Sequence, residues 1–177
     1  VTGVQTCALP IFDWAPTQLR LRTENLGCQH GVIDAVSWML AHEGEGVIIE
    51  DDSIPSHSFF TFCDELLDRY RADTRVLAVS GESRVPRHLV GADSYRFTNM
   101  GPAGAWATWD DRWREFIASR VDRTPVKLLT ALRRREDMKI YELAFWSGIA
   151  IANRTSAMDS WAYPFMLHGM VTRTLTA

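Results

Sequence analysis

The chain has 177 residues, 46% of them hydrophobic and 23% charged, with a formal net charge of -3. That balance fits one soluble globular domain with a sizeable core, and the slight acidity argues against a nucleic-acid partner, which calls for a basic face. No apolar run approaches the roughly 18 residues of a membrane span, no signal-peptide pattern is visible, and the three cysteines (Cys7, Cys28 and Cys63) form no disulfide framework, so a reducing, cytoplasmic setting is expected, free or peripheral to the membrane.

In chain order, residues 1–11 (VTGVQTCALPI) look like translated sequencing-adaptor DNA, so the native protein is expected to begin near Phe12. Residues 19–22 alternate and read as a short strand, followed by a turn at Glu24-Asn25-Leu26-Gly27. Val32, Ala35, Val36, Met39 and Leu40 recur at helical spacing and predict a helix over 29–41, ended by Glu43-Gly44-Glu45-Gly46. Residues 46–49 (GVII) read as a buried strand that runs into Glu50-Asp51-Asp52. Pro55-Ser56 opens a helix with an apolar stripe of Phe59, Phe62, Cys63, Leu66 and Tyr70. Burying three such side chains contributes about 5–9 kcal/mol before entropy. Residues 75–80 (RVLAVS) read as a second buried strand, and a strand-helix-strand crossover usually places two parallel strands in one sheet.

Residues 81–104 are rich in Gly and Pro and aperiodic, a long loop of the kind that is functional or disordered. Trp106, Trp109 and Trp113 then follow at i, i+3, i+7, a helical core spacing. Asp110 and Asp111 suit the start of a helix reaching residue 119, since acids favour a helix N-terminus. Further helices are expected over 126–134 and 138–153, with another apolar segment over 160–167. The basic run Arg133-Arg134-Arg135 reads as a solvated helix face.

Three consecutive acids at the end of a strand need a physical reason. Two carboxylates about 5 Å apart repel by roughly 3 kcal/mol at an effective dielectric near 20. A divalent cation removes that repulsion, and Mg²⁺ or Mn²⁺ prefers carboxylate oxygen together with substrate phosphates. Ligand sites of open α/β sheets also lie beyond the carboxyl ends of the strands. The alternative is a solvated acidic turn leading into the next helix. Arg22 is either a phosphate partner or a surface charge, and Asn25 and Gly27 also suit plain turn geometry. Cys28 and Cys63 read as small buried hydrophobes, and the five histidines show no metal spacing. Trp109 and Trp113 are expected in the core, while Trp106 is open to the core or to a stacked sugar.

The segment GVIIEDDSIPSHSFFTFCDELLDRYRADTRVLAVSG resembles the core of bacterial GT-A glycosyltransferases, often described as nucleotide-diphospho-sugar transferases or hemolytic-protein-like. More distantly it is similar to the GlcNAc transferases of N-glycans. Upstream the pattern R-x-x-N-x-G-C-x-x-G is present as Arg22, Asn25, Gly27, Cys28 and Gly31. Downstream, Ser94-Tyr95-Arg96-Phe97 and the run Trp106-Ala107-Thr108-Trp109 with Trp113 match further motifs.

The resemblance implies a GT-A-like (Rossmann-like) α/β fold, a mostly parallel sheet flanked by helices, with residues 12–177 forming a partial domain truncated at both ends. It implies Asp52 as the direct ligand of Mn²⁺ or Mg²⁺, with Glu50 and Asp51 near the ribose or the metal's water shell. Arg22 and Asn25 would lie near the nucleotide and Trp106 at the sugar pocket. The implied reaction is inverting transfer of a sugar from a UDP-type donor to a hydroxyl of a glycan or other acceptor, as in polysaccharide building. Inversion needs a carboxylate base. Similar enzymes supply it from a W-D-x-x motif, where this chain has Trp161-Ala162. Asp159, three residues before Ala162, either substitutes as base or caps a helix. Gly104-Ala105 also departs from the Trp-Gly of relatives. Because relatives begin with a strand and loop that hold much of the nucleotide and that are not seen before Phe12, the chain as given is expected to bind donor poorly or not at all. A non-catalytic sugar- or nucleotide-binding relative and a metal-dependent phosphoesterase are the competing readings.

Overall fold

In the computed structural model, the described residues are 16–83, 85–89, 92–102, 104–121, 130–133, 138–155 and 157–177. The adaptor-like stretch 1–11 lies outside them, as does most of the expected helix 126–134, of which residues 130–133 are helical. The expected strand at 19–22 is instead irregular and exposed, because no neighbouring strand pairs with it.

The chain is mixed α/β. A four-stranded sheet has the order β1 (Glu45–Ile49), β3 (Ala105–Trp109), β2 (Val76–Ser80), β4 (Leu175–Thr176). Around it stand helices α1 (Gly27–Glu43), α2 (His57–Tyr70), α3 (Asp110–Val121), α4 (Ile140–Arg154) and α5 (Ala162–Thr172). The irregular segment after β2 contains only a 3-10 turn at Arg87–Leu89 and a bridge from Thr98 to Thr176 among its described residues.

The expectation of a mostly parallel sheet is corrected. β1 and β2 do run the same way, as a crossover through α2 requires, but β3 lies between them and is antiparallel to both. Ile48 faces Trp106, and Val79 faces Ala107. Only β4 pairs parallel, beside β2. The reason is that residues 105–109 form a strand rather than part of a helix. Residues 105–109 pair with β1 and β2 as a strand, and the helix begins only at Asp110, whose carboxylate sits in the first turn where the helix dipole favours it.

As the inserted strand, β3 is enclosed as fully as β2: Trp106, Ala107, Thr108 and Trp109 are all buried. The buried Thr108 hydroxyl donates to the Leu77 carbonyl at 2.8 Å, which satisfies a polar group that would be costly if left alone. β1 is a half-buried edge strand rather than the fully buried one expected from its apolar run. Its first residue, Glu45, accepts both arms of the Arg71 guanidinium at 2.6 and 2.7 Å.

Alternation along the strands separates two cores. Ile48 and Trp106 face a cluster with Val36, Leu40, Trp113, Phe116 and Phe165, drawn from α1, α3 and α5. Val47, Ala107 and Trp109 face Phe59, Cys63, Leu66 and Leu67 of α2. A third cluster joins α4 to α5 through Trp146, Ile149, Leu167 and Met170. Arg112 closes the far end: it lies 4.4 Å over the Trp109 ring and donates to the carbonyls of Tyr70 and Arg71, the last carbonyls of α2.

Trp106 is fully buried, so Trp106→Ala is expected to cost about 3–5 kcal/mol in urea denaturation. A loss below about 1 kcal/mol would mean that its ring lies at a surface instead of in the core.

Candidate functional site

The acidic triplet sits at the carboxyl end of β1. The ladder extends one residue past the strand: Glu50 N–H donates to the Gly104 carbonyl at 2.9 Å. Asp51 and Asp52 then form a turn closed by Ser53 N–H to the Glu50 carbonyl at 3.1 Å. Gly104 has a φ of 73°, and a Cβ there would lie 2.8 Å from Ser53 Oγ. Only glycine therefore lets the chain entering β3 pass this close to the acid turn.

Asp51 and Asp52 are exposed and form no ion pair with a described residue; Asp52 has only a long contact, 3.4 Å, from the Ser53 hydroxyl. Glu50 is half-buried, and its Oε1 is buried with no hydrogen-bond partner among the described residues. A buried carboxylate oxygen without a donor or a cation is costly. Among the described residues, no three His, Cys, Asp or Glu side chains converge on one point.

The upstream motif is a fastening. Asn25 Oδ1 accepts the Gly27 N–H at 2.8 Å. Gly27 has a φ of 73°, and a Cβ on it would lie 2.6 Å from Asp159 Oδ2. The Asp159 carboxylate accepts the N–H of Cys28 and of Gln29, each at 2.7 Å. Gln29 Nε2 donates to the Ser160 carbonyl at 3.0 Å. Asp159 thus caps the N-terminus of α1 from far along the chain. It does not cap α5, whose first turn follows Trp161 with no side-chain bond. The N–H groups of Gln29 and then Cys28 hold its carboxyl below the ordinary aspartate range; burial opposes this and His30 adds to it. With both oxygens engaged, the cap is the role that the geometry supports.

Trp161 stacks on Trp106 with ring centres 4.9 Å apart and planes 16° apart, and both rings are buried. A ring face so covered offers no sugar platform. The Trp106 indole N–H is buried without a described partner. Arg22 pairs with Asp34 on α1, which also receives Arg20 at 3.1 Å. The structure therefore links Asn25, Asp159 and Trp106 in one run of contacts, and strand alternation carries Glu50 to the Trp106 side of the sheet. Arg22 stands apart on the flank of α1.

A cavity of about 610 Å³, to which the sequence reading assigned no residue, opens at the carboxyl end of β2 beside α2. Phe59, Phe62, Tyr95 and Phe97 wall it, Ser80 and Gly81 form its rim, and Arg96 lines it. Its sequence signal was the motif Ser94-Tyr95-Arg96-Phe97, matched in the resemblance but given no role there. Cys63, by contrast, is inert: burial pushes its thiol up to about 12.

No protein-family model matches the chain, and no curated protein and no solved structure is detectably similar to it. The resemblance to GT-A transferases therefore rests on its motifs alone.

Gly27→Ala is expected to cost about 1–3 kcal/mol, from a left-handed backbone and the collision with Asp159, read as a shift of the urea midpoint. Asp159→Ala should lower the thermal midpoint at neutral pH. The Asp159 carboxyl is depressed in the folded state, so its contribution is full above the ordinary aspartate range and lost as pH falls through the folded value. The gap between wild type and variant should accordingly close in acid; a gap that persists there would exclude the carboxylate cap.

Proposed function

We propose that the chain is the metal-gripping part of a nucleotide-diphospho-sugar transferase, which moves a sugar from a UDP-type donor to a hydroxyl of a glycan or other acceptor with inversion. The observation that supports this most is the state of the acids. Among the described residues, Glu50 has a buried oxygen without a partner, and Asp51 and Asp52 form no ion pair at the carboxyl rim of β1. Asp159 and Asp34, by contrast, use their carboxylates for a helix cap and for ion pairs.

The residues fit a divalent cation of the oxygen-preferring kind. Asp52 would hold Mn²⁺ or Mg²⁺ directly, with Asp51 and Glu50 against the ribose or the ion's water, and the remaining positions left to water and the donor diphosphate. When bound, such an ion neutralises the leaving diphosphate. The chain's own part is to fix the acid turn, which Gly104 and Ser53 do by packing against each other, and to anchor the neighbouring wall through Asn25, Gly27 and Asp159. The reading places the protein in the cytoplasm or at a membrane surface; among the described residues, no helix is long and apolar enough to cross a membrane.

One observation favours a second reading, a non-catalytic nucleotide- or sugar-binding relative. Ala162 stands where similar enzymes carry the base, and both oxygens of Asp159 are occupied by backbone N–H groups.

The test is Mn²⁺-dependent hydrolysis of UDP-sugars by protein made from the complete reading frame. Asp52→Ala should lower turnover about 100-fold or more without moving the thermal midpoint, because Asp52 is exposed and nearly uncontacted. Equal turnover in the variant would remove the metal role, and no turnover in either protein, with metal-dependent UDP binding retained, would favour the second reading.

A further inference from the structure

We propose that the cavity beside α2 binds a small ligand bearing an oxyanion, a carboxylate or a phosphate monoester, on a hydroxylated ring, with Arg96 as its charge partner. At about 610 Å³ the cavity has the size of a small-molecule site. Arg96 lines it, and the Nη2 of its guanidinium is buried with no hydrogen-bond partner among the described residues. The planar fork of a guanidinium matches the paired oxygens of a carboxylate or phosphate.

The surroundings agree in sign and in chemistry. Ser56 and Ser58, at the start of α2, line the cavity, so the positive end of a 14-residue helix faces it. Ser56 makes no capping bond; its hydroxyl is shared with Ser58 at 2.9 Å. The one acidic side chain among the described lining residues, Glu82, is exposed at the rim. Tyr95 and its neighbours give an apolar wall that is held in place: Phe62 and Phe97 pack edge-on to Tyr95 with centres 5.9 and 5.8 Å away, and the Tyr95 hydroxyl bonds that of Tyr70 at 2.5 Å. Aromatic walls with hydroxyls at the rim suit a sugar ring, which has C–H faces and hydroxyl edges.

The cavity and the acid turn share one strip of backbone. Glu50 N–H donates to Gly104 and Gly81 N–H donates to Ala105, each at 2.9 Å. Under the transferase reading, and only under it, the cavity ligand is the acceptor, and the acceptor is acidic. The binding itself does not depend on that reading.

The experiment is a titration of the chain, in EDTA so that no divalent ion takes part, with glucuronate, glucose 6-phosphate and glucose, followed by backbone amide NMR shifts. Saturable binding of at least one anionic sugar is expected, with shifts at Ser80, Gly81 and Arg96, and weaker or no binding of glucose. Whichever anion binds tighter identifies the oxyanion. Arg96→Gln should weaken binding at least about tenfold, and Arg96→Lys, which keeps the charge, should retain part of it and report that the fold survives. Overturning results are no saturable binding of either anion up to about 20 mM, glucose bound as tightly as the anions, or affinity unchanged in Arg96→Gln. Because the titration excludes metal and donor, its failure leaves the Asp52 test untouched. Failure of that test likewise leaves the cavity standing without its assignment to an acceptor.

Discussion

One carboxylate holds together parts of the chain that are 130 residues apart. Asp159 accepts two of the N–H groups that every α-helix leaves free at its start, here Cys28 and Gln29 of α1. The bond needs Gly27, whose Cβ would occupy the space of the carboxylate, and Asn25, which fixes the turn that delivers it. Once Asp159 is docked, Trp161 two residues later is placed on Trp106, at the centre of the core. The entry to α1, the entry to α5 and the middle of the sheet thus form one mechanical unit. The spacing of Asn25, Gly27 and Cys28 is understandable from this unit without any ligand.

The antiparallel insertion of β3 brings the acid turn and the aromatic cavity side by side. Because β3 runs against β1 and β2, its first residues lie at the rim where those strands end. Gly104 and Ala105 therefore bond to Glu50 on one side and Gly81 on the other. The acid turn and the aromatic cavity are joined through two peptide units, with no intervening flexible loop. A parallel strand in that place would have brought its carboxyl end to the same rim, and the loop leaving it would have separated the two sites.

The electrostatics of that rim differ from those of the rest of the surface. Away from it several charged groups are paired: Arg71 with Glu45, Arg75 with Asp73, Arg114 with Asp110. The Asp73 carboxyl falls to about 2 beside Arg75, as an ordinary surface pair would make it. At the rim, an oxygen of Glu50 and a nitrogen of Arg96 are buried and unmatched, at opposite ends of the shared strip. Local rules of polar satisfaction are broken in folded proteins chiefly where function requires it.

Periodicity in the sequence determined α1, α2, β1, β2 and α4 to within a few residues, because apolar spacing records which faces are buried. It also located the acid turn, which needs only a strand that stops. The strand β3 was not legible: three tryptophans at i, i+3 and i+7 mimic a helix, although the first two belong to a strand and the third to the helix that follows without a loop. The two-residue β4 is too short to have a period at all. Residues whose roles depend on partners far along the chain were equally hidden. Asp159 and Gly27 meet only in the folded protein, Trp106 is covered only once Trp161 arrives, and Arg96 is left unmatched only by the walls that close around it. Local composition decides which elements form, since helix and strand energetics are short-ranged; tertiary packing alone decides which polar groups find partners and which do not.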